Sequence, residues 1–350
     1  PIHLLTEGMS KKFKNNFFIS HFFNPPRYLK LLEIVFSEEA NKTNLTKLIK
    51  FCDINLGKTV IETKDTPGFI GNRIGIFWIE RSVVESIKSN LSVEQTDSII
   101  MNVFKVPKTG LFGLIDVIGL DLIPSVVNSL LKNIPKKDYY HSIHQTPEIF
   151  KYMISNKLIG RKGDGGFYKL INQNNNKIKH SLNLNTRKYS KSSKPEIQNL
   201  NIINKNLKIY LDQDDKFSKY AWDVLSDVLY YTLSIADEIA YDIVSIDEAM
   251  KKGFGWKLGP FEIIDKIGVS FLKEKLLNSK KNIPLLLKNL GNNSFYKIKE
   301  NEIQYFDFKT KDYKILKRPA GILLLSDVKN TTKPIKEINF ASLWDIGDQI

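Results

Sequence analysis

The chain has 350 residues, 42% of them hydrophobic, so it is long enough for two or more domains with buried cores. Its net charge of +14 comes from 52 basic and 38 acidic residues, but the lysines are scattered and form no basic stripe with interleaved aromatic residues, which argues against nucleic-acid binding. The single cysteine excludes an internal disulfide, and no apolar run reaches membrane-spanning length. We expect a cytoplasmic protein without a membrane span.

Short strands open the chain. Residues 16–22 and 31–36 have strand patterns, and a proline-containing turn that includes Asn24 joins them. A helix at residues 38–55 and a third strand at 59–64 follow. This order predicts the end of an α/β domain built from a βαβ unit.

His21 and Glu33 are twelve positions apart on the first two predicted strands, so pairing of the strands would bring them together. Removing hydride from a carbon that bears a hydroxyl group requires a base near neutral pH, and histidine is such a base. A carboxylate on its second ring nitrogen would fix its tautomer. Taken alone, His21 would more often be a packed histidine, but Glu33 lies in an apolar run, where a buried carboxylate needs a partner.

A long helix is predicted at residues 68–89, with Pro67 and Gly68 marking its start and with apolar residues at helical spacing. Asn72 lies just inside it, and its side-chain amide can donate a hydrogen bond to a substrate oxygen. Without further context, Asn72 could equally be an ordinary residue on the helix surface.

The stretches HFFNP with a following EIV, and DTPGFxxNR, together resemble the L-3-hydroxyacyl-CoA dehydrogenases of fatty-acid β-oxidation, in particular the multifunctional type that also carries an enoyl-CoA hydratase. The resemblance implies that His21 is the catalytic base, that Glu33 is its partner, and that Asn24 and Asn72 position substrate and cofactor. It also implies NAD as cofactor and a 3-hydroxyacyl-CoA as substrate.

An NAD site usually contains a strand, a G-x-G-x-x-G turn and a helix. The nearest glycine cluster, at residues 163–166, has the wrong spacing, and we interpret it as a turn, so no cofactor-binding glycine loop is assigned. Nor is any metal site assigned. We expect residues 1–65 to be only the last strands of the NAD-binding domain, and the Rossmann region and the hydratase domain to be lacking. The chain alone would then be inactive until the missing segment is supplied in cis or in trans.

An internal repeat follows. Residues 92–121 parallel residues 245–270: both open with a capping-box pattern and both end in I-D-x-I-G. In the family it resembles, this helical unit dimerises in short chains, whereas two copies pack as a pseudo-dimer in longer ones. The matched aspartates are expected to be packing residues. They are Asp97 with Asp247, and Asp116 with Asp265.

We predict a mainly α fold: the tail of a Rossmann-like α/β domain, then two repeated helical domains similar to the C-terminal domain of 6-phosphogluconate dehydrogenase, with small β-hairpin additions. The hairpin is expected around residues 172–176, a polar linker at 183–207 and a three-stranded meander at 294–316. Residues 341–350 resemble the junction at which a hydratase domain begins. The predicted division is residues 1–65 for the last strands of the NAD-binding domain, 66–171 for the first helical domain, 172–215 for hairpin and linker, 216–290 for the second helical repeat and 291–350 for meander and tail.

The expected function is NAD-dependent oxidation of (S)-3-hydroxyacyl-CoA to 3-ketoacyl-CoA in fatty-acid β-oxidation, as part of a larger enzyme. The alternative is a non-catalytic remnant, a helical scaffold that has lost its cofactor domain. A nucleic-acid-binding protein is a more remote alternative.

Overall fold

The structure of the protein is a computed structural model that describes residues 1–173, 176–319 and 321–347. Within these residues, helices predominate and the strands form four small sheets. The fold is therefore helix-rich with small sheets, as predicted.

The first sheet carries the N-terminal motifs. The first helices are α1 (Ile2–Leu5), α2 (Lys11–Lys14) and α3 (Lys42–Lys50), which continues as a π-helix over Phe51–Asn55. Strands β1 (Ile19–Phe22) and β2 (Leu31–Val35) pair antiparallel, and β2 pairs parallel with β3 (Thr59–Glu62). Parallel neighbours need a crossover, which α3 provides, so the predicted βαβ unit is confirmed. The helix begins at Lys42 rather than at residue 38, because Asn41 caps it by accepting a hydrogen bond from Asn44 N at 3.1 Å.

The next region is helical. Its helices are α4 (Gly71–Lys88), α5 (Val93–Val103), α6 (Gly110–Ile118), α7 (Leu122–Asn133), α8 (Tyr139–Ile143) and α9 (Glu148–Ser155). Helix α4 starts three residues later than predicted because Gly68 and Phe69 have φ angles of 77° and 51°, a left-handed conformation that cannot continue a helix. The capping box predicted at Ser92 is present at the start of α5.

The middle of the chain is more ordered than expected. Its elements are β4 (Tyr168–Gln173), β5 (Asn176–Leu182), β6 (Tyr189–Lys191), α10 (Leu200–Lys205) and α11 (Leu207–Leu211). The predicted hairpin is formed by β4 and β5, and its turn residues 174–175 lie outside the described residues. The segment predicted as a polar linker, residues 183–207, contains regular elements: β6 pairs with β5, and the buried side chain of Ile203 anchors α10 to the core.

The last region repeats the mixture of helices and hairpins. Its elements are α12 (Lys216–Ile239), α13 (Ile243–Gly253), α14 (Pro260–Ile267), α15 (Val269–Asn278), α16 (Leu285–Leu290), β7 (Tyr296–Lys299), β8 (Glu302–Asp307), β9 (Asp312–Ile315), α17 (Leu325–Thr331), β10 (Lys336–Ile338) and β11 (Ala341–Leu343). Strands β7, β8 and β9 form the predicted meander. Of the stretch that resembles a hydratase junction, residues 348–350 lie outside the described part of the chain.

Helices α4 and α12 pack against each other through the centre of the molecule. The rings of Phe77 and Tyr231 stack at 4.1 Å, and Tyr220 donates from its hydroxyl to Ser82 O at 3.1 Å. Buried aromatic packing of this kind contributes strongly to core stability. It joins the two helical regions into one hydrophobic core.

Four aspartates, three of them buried and Asp265 half-buried, form two matched sets of contacts. In each helical region, one aspartate accepts bonds from a helix-start N–H and a tyrosine hydroxyl, and another accepts two N–H bonds from the start of a hairpin. The pairs are Asp97 with Phe112 N and Tyr168, Asp247 with Phe261 N and Tyr296, Asp116 with Phe167 N and Tyr168 N, and Asp265 with Phe295 N and Tyr296 N. Burial raises the pKa of Asp97 to about 7 and the pKa of both Asp116 and Asp265 to about 6.

In the described part of the chain, no single helix is long and apolar enough to cross a membrane; α6 and α7 reach that length and apolarity only as a pair, bent by 89°. The same residues contain no group of three or more His, Cys, Asp or Glu side chains placed to hold a metal ion.

Candidate active site

The register of β1 and β2 places His21 directly opposite Glu33. The Nδ1 atom of His21 lies 2.7 Å from Oε2 of Glu33. Because an ionised carboxylate can only accept hydrogen bonds, Nδ1 carries the proton, and Nε2 of the neutral ring is then the basic nitrogen. The predicted pairing of base and acid is present as a contact.

Glu33 is fully buried, and two backbone groups hold its second oxygen. Oε1 accepts hydrogen bonds from Ile70 N at 3.0 Å and from Gly71 N at 2.8 Å. These N–H groups open α4, whose N-cap Ile70 has no side-chain oxygen to satisfy them. The partial positive charge of the helix start favours a carboxylate at this place, so the turn after β3 fixes the acid that orients His21.

Two aromatic rings flank the imidazole. The ring centres of Phe23 and Phe69 lie 4.9 Å and 5.7 Å from that of His21. The His21 side chain keeps 30% of its surface exposed, and within the described residues its Nε2 has no hydrogen-bonding partner. This nitrogen is therefore free to take a proton from a ligand.

Asn24 lies just after β1, which carries His21, and Asn72 lies at the start of α4, where Ile70 N and Gly71 N hold Glu33. Asn24 is exposed in the turn after β1, and Asn72 is half-buried as the second residue of α4. Among residues 1–173, 176–319 and 321–347, neither side-chain amide has a hydrogen-bond partner. The structure brings His21 and Glu33 together, whereas the roles of Asn24 and Asn72 stay predictions.

A second histidine–glutamate pair was not predicted. The Nδ1 atom of His144 lies 2.9 Å from Oε1 of Glu80. Oε1 also accepts a hydrogen bond from Gln145 N at 3.2 Å, and Oε2 accepts one from the Tyr140 hydroxyl at 3.0 Å. Burial raises the pKa of Glu80. Because the two partners are 64 positions apart, no local spacing could have indicated this pair.

The backbone anchor of Glu33 was also missed. A helix that starts without a Ser, Thr, Asp or Asn cap needs another acceptor for its first N–H groups, and that missing cap before Gly71 was the available signal. A cavity of about 1060 Å³ lies between β3, α13 and the β8–β9 hairpin, and none of the four predicted site residues lines it.

Two family models match the chain. The model described as "3-hydroxyacyl-CoA dehydrogenase, NAD binding domain" matches residues 1–66, and the one described as "3-hydroxyacyl-CoA dehydrogenase, C-terminal domain" matches residues 68–170 and 223–284. The first match overturns the prediction that the NAD-binding Rossmann region is lacking. The expectation that the chain is inactive without that region, which rested on this prediction, falls with it.

Curated relatives include a "Putative fatty acid oxidation complex trifunctional enzyme" of Rickettsia felis, 36% identical over 299 residues that make up 85% of this chain and 41% of the relative. A "Probable 3-hydroxyacyl-CoA dehydrogenase" of Bacillus subtilis is 34% identical, over 99% of this chain and 44% of the relative. The chain thus spans about two fifths of the length of these relatives.

Among solved structures, that of 3-hydroxybutyryl-CoA dehydrogenase from Escherichia coli superposes with a TM-score of 0.56 at 17% identity. The match covers 82% of this chain and 72% of the other. At this identity the likeness shows a shared fold.

Proposed function

The chain belongs to the 3-hydroxyacyl-CoA dehydrogenase family, and from that premise we propose that it serves the NAD-dependent oxidation of (S)-3-hydroxyacyl-CoA to 3-ketoacyl-CoA in fatty-acid β-oxidation, as part of a larger enzyme. The observation that carries the proposal is the His21–Glu33 pair: a 2.7 Å contact to a fully buried acid, with a second ring nitrogen that has no hydrogen-bonding partner among the described residues.

The chemistry follows from the two ring nitrogens. His21 Nε2 takes the proton from the 3-hydroxyl group as the carbon–hydrogen bond breaks, and Glu33 stabilises the imidazolium that forms. NAD, when bound, would supply the hydride acceptor. Asn72, at the start of α4, donates a hydrogen bond to the substrate oxygen as it becomes a carbonyl, and Asn24 contributes to positioning substrate and cofactor.

The residues present suit the nicotinamide end of this cofactor. A half-exposed base with an unused nitrogen lies near the start of α4, where Asn72 provides an amide group, and all are at or next to the stretch matched by the NAD-binding domain model. We assign no residue to the phosphates of NAD.

We further propose that the two helical regions, residues 66–171 and 216–290, are copies of one unit that pack as a pseudo-dimer. The matched aspartate contacts support this, as does the match of the C-terminal domain model to two separate segments. The division of the remaining chain at residues 65, 172 and 291 stays a prediction, as does the cytoplasmic location.

The name of the relative from Rickettsia felis supports a fatty-acid oxidation role, and that of the relative from Bacillus subtilis supports the dehydrogenase reaction. An enoyl-CoA hydratase domain is a plausible partner in a longer polypeptide of this kind. The acyl chain length of the substrate is left open.

The test is formation of NADH from (S)-3-hydroxyacyl-CoA thioesters by the purified protein. His21→Gln keeps a hydrogen-bonding side chain but has no base at neutral pH, so kcat should fall by about 10²–10⁴-fold while KM changes little. His144→Gln removes the other paired histidine and should leave kcat unchanged. Normal turnover in His21→Gln would contradict the assignment. A wild-type protein that binds neither NAD nor the thioester would favour the non-catalytic scaffold.

A further inference from the structure

A chain of aromatic rings connects His21 to the second helical region. Phe23 lies 4.9 Å from His21, and Phe254, just after α13, lies 5.8 Å from Phe23 with the rings nearly perpendicular. Phe254 also meets Trp78 of α4 at 6.1 Å. Edge-to-face contacts at these distances are favourable and restrict the orientation of each ring.

Two glycines one turn apart on α4 make room for these rings. A Cβ atom added at Gly71 would lie 2.3 Å from Cζ of Phe23, and one added at Gly75 would lie 2.0 Å from Cζ of Phe254. The rings therefore rest directly on the helix backbone. At Gly253 an added Cβ would lie 2.7 Å from Leu31 Cδ2, so the end of α13 also approaches β2 closely.

We propose that Phe254 is a positioning residue for His21, so that the second helical region completes the candidate active site. Phe254 holds the Phe23 ring against α4. Phe23 in turn limits rotation of the His21 imidazole about its hydrogen bond to Glu33. The direction of Nε2 is set in this way, and a base displaced by about 1 Å can lose about 10²-fold in rate. The inference rests on the proposed function of His21.

Phe104 provides the comparison. It belongs to the same aromatic cluster, 5.6 Å from Trp78 and 4.5 Å from Trp256, and is equally part of the core. Within the described part of the chain, the Phe104 ring contacts neither Phe23 nor His21. A purely structural role predicts equal effects of Phe104→Leu and Phe254→Leu on the imidazole, whereas positioning predicts an effect of Phe254→Leu alone.

The first readout is the NMR signal of His21 Cε1–H, identified by its loss in His21→Gln. In Phe254→Leu the signal should shift, because Phe23 moves relative to the imidazole. Gly75→Ala should have the same effect by pushing the Phe254 ring away. The control is Gly113→Ala in α6, where an added Cβ meets only Thr109 Cβ at 3.6 Å.

The second readout is kinetic. Phe254→Leu and Gly75→Ala should lower kcat by about 10–100-fold with little change in KM, whereas Phe104→Leu and Gly113→Ala should not. Folding of each variant is checked by thermal unfolding, and Gly75→Ala provides a second probe if Phe254→Leu does not fold.

The inference is overturned if folded Phe254→Leu and Gly75→Ala keep the wild-type His21 signal, or if Phe104→Leu shifts it equally. Loss of turnover in His21→Gln alongside either result would leave the proposed function standing. If instead the signal shifts but His21→Gln turns over normally, the packing is as inferred and the catalytic role of His21 is wrong.

Discussion

His21 and His144 each direct Nδ1 at a buried glutamate, at 2.7 Å from Glu33 and 2.9 Å from Glu80. The two histidines differ in the surroundings of the second ring nitrogen, Nε2. The other nitrogen of His144 lies 3.4 Å from the Thr146 hydroxyl. In the described residues, that of His21 has no protein partner. A histidine can act as a base toward a ligand only through a nitrogen that the protein leaves free.

The glutamates differ in the same sense. Glu80 lies in the middle of α4 and connects Tyr140 and His144 to that helix, so its hydrogen bonds hold the α8 segment in place. Glu33 lies on a strand and is held by the N–H groups that open α4. The first arrangement fastens one segment to another, and the second orients a partly exposed histidine.

The largest expected difference is in turnover. Glu33→Gln should lower kcat by about 10²-fold or more, since the imidazolium loses its counter-charge, and combining it with His21→Gln should cost much less than the product of the two effects, because groups that act as a unit are not additive. Glu80→Gln should leave kcat unchanged. Steady-state kinetics of the four variants checks this, and fully additive losses would show that the pair does not act as a unit.

The free energy of unfolding should not distinguish the His21–Glu33 pair from the His144–Glu80 pair. Glu33→Ala and Glu80→Ala each remove an acceptor from buried donors, and each donor left unsatisfied costs about 1–3 kcal/mol. Both variants should therefore show a clearly lower free energy of unfolding in urea titrations. If Glu80→Ala is as stable as the wild type, the Glu80 pair does not fasten α8 to α4.

The smallest effect concerns pH. Burial raises the pKa of Glu80 above its ordinary 4.5, so the folded state holds this proton more tightly than the unfolded chain does. Its stabilising contribution is complete below about pH 4.5 and is lost as the pH rises through the folded-state pKa. Glu80→Gln, which cannot ionise, should thus be less costly at pH 7 than at pH 4. The measurement is urea unfolding at both pH values in a His144→Gln background, so that protonation of His144 does not contribute. A stability cost of Glu80→Gln that is larger at pH 7 than at pH 4 would contradict the prediction.

The contact between His21 and Glu33 could be predicted because it is local. His21 and Glu33 lie on adjacent strands joined by a short turn, and an acid within an apolar run needs a partner nearby. The order in residues 183–207 could not be predicted, since polar residues dominate the segment and only the packing of a few side chains such as Ile203 holds it. The expected loss of the NAD-binding region was wrong because a G-x-G-x-x-G turn is only one part of such a domain, and the family model matches residues 1–66 without it.

Short-range patterns were therefore enough for most of the elements, for the pairing of His21 with Glu33, and for the family, because hydrogen bonding between neighbouring strands and helix periodicity act over a few residues. Contacts between distant segments were decided only by the tertiary structure. These include the backbone N–H groups of α4 that hold Glu33, the fastening of His144 to Glu80, and the seating of Phe254 on Gly75. Such contacts depend on how whole helices pack, and close packing of that kind leaves no period or spacing in the chain.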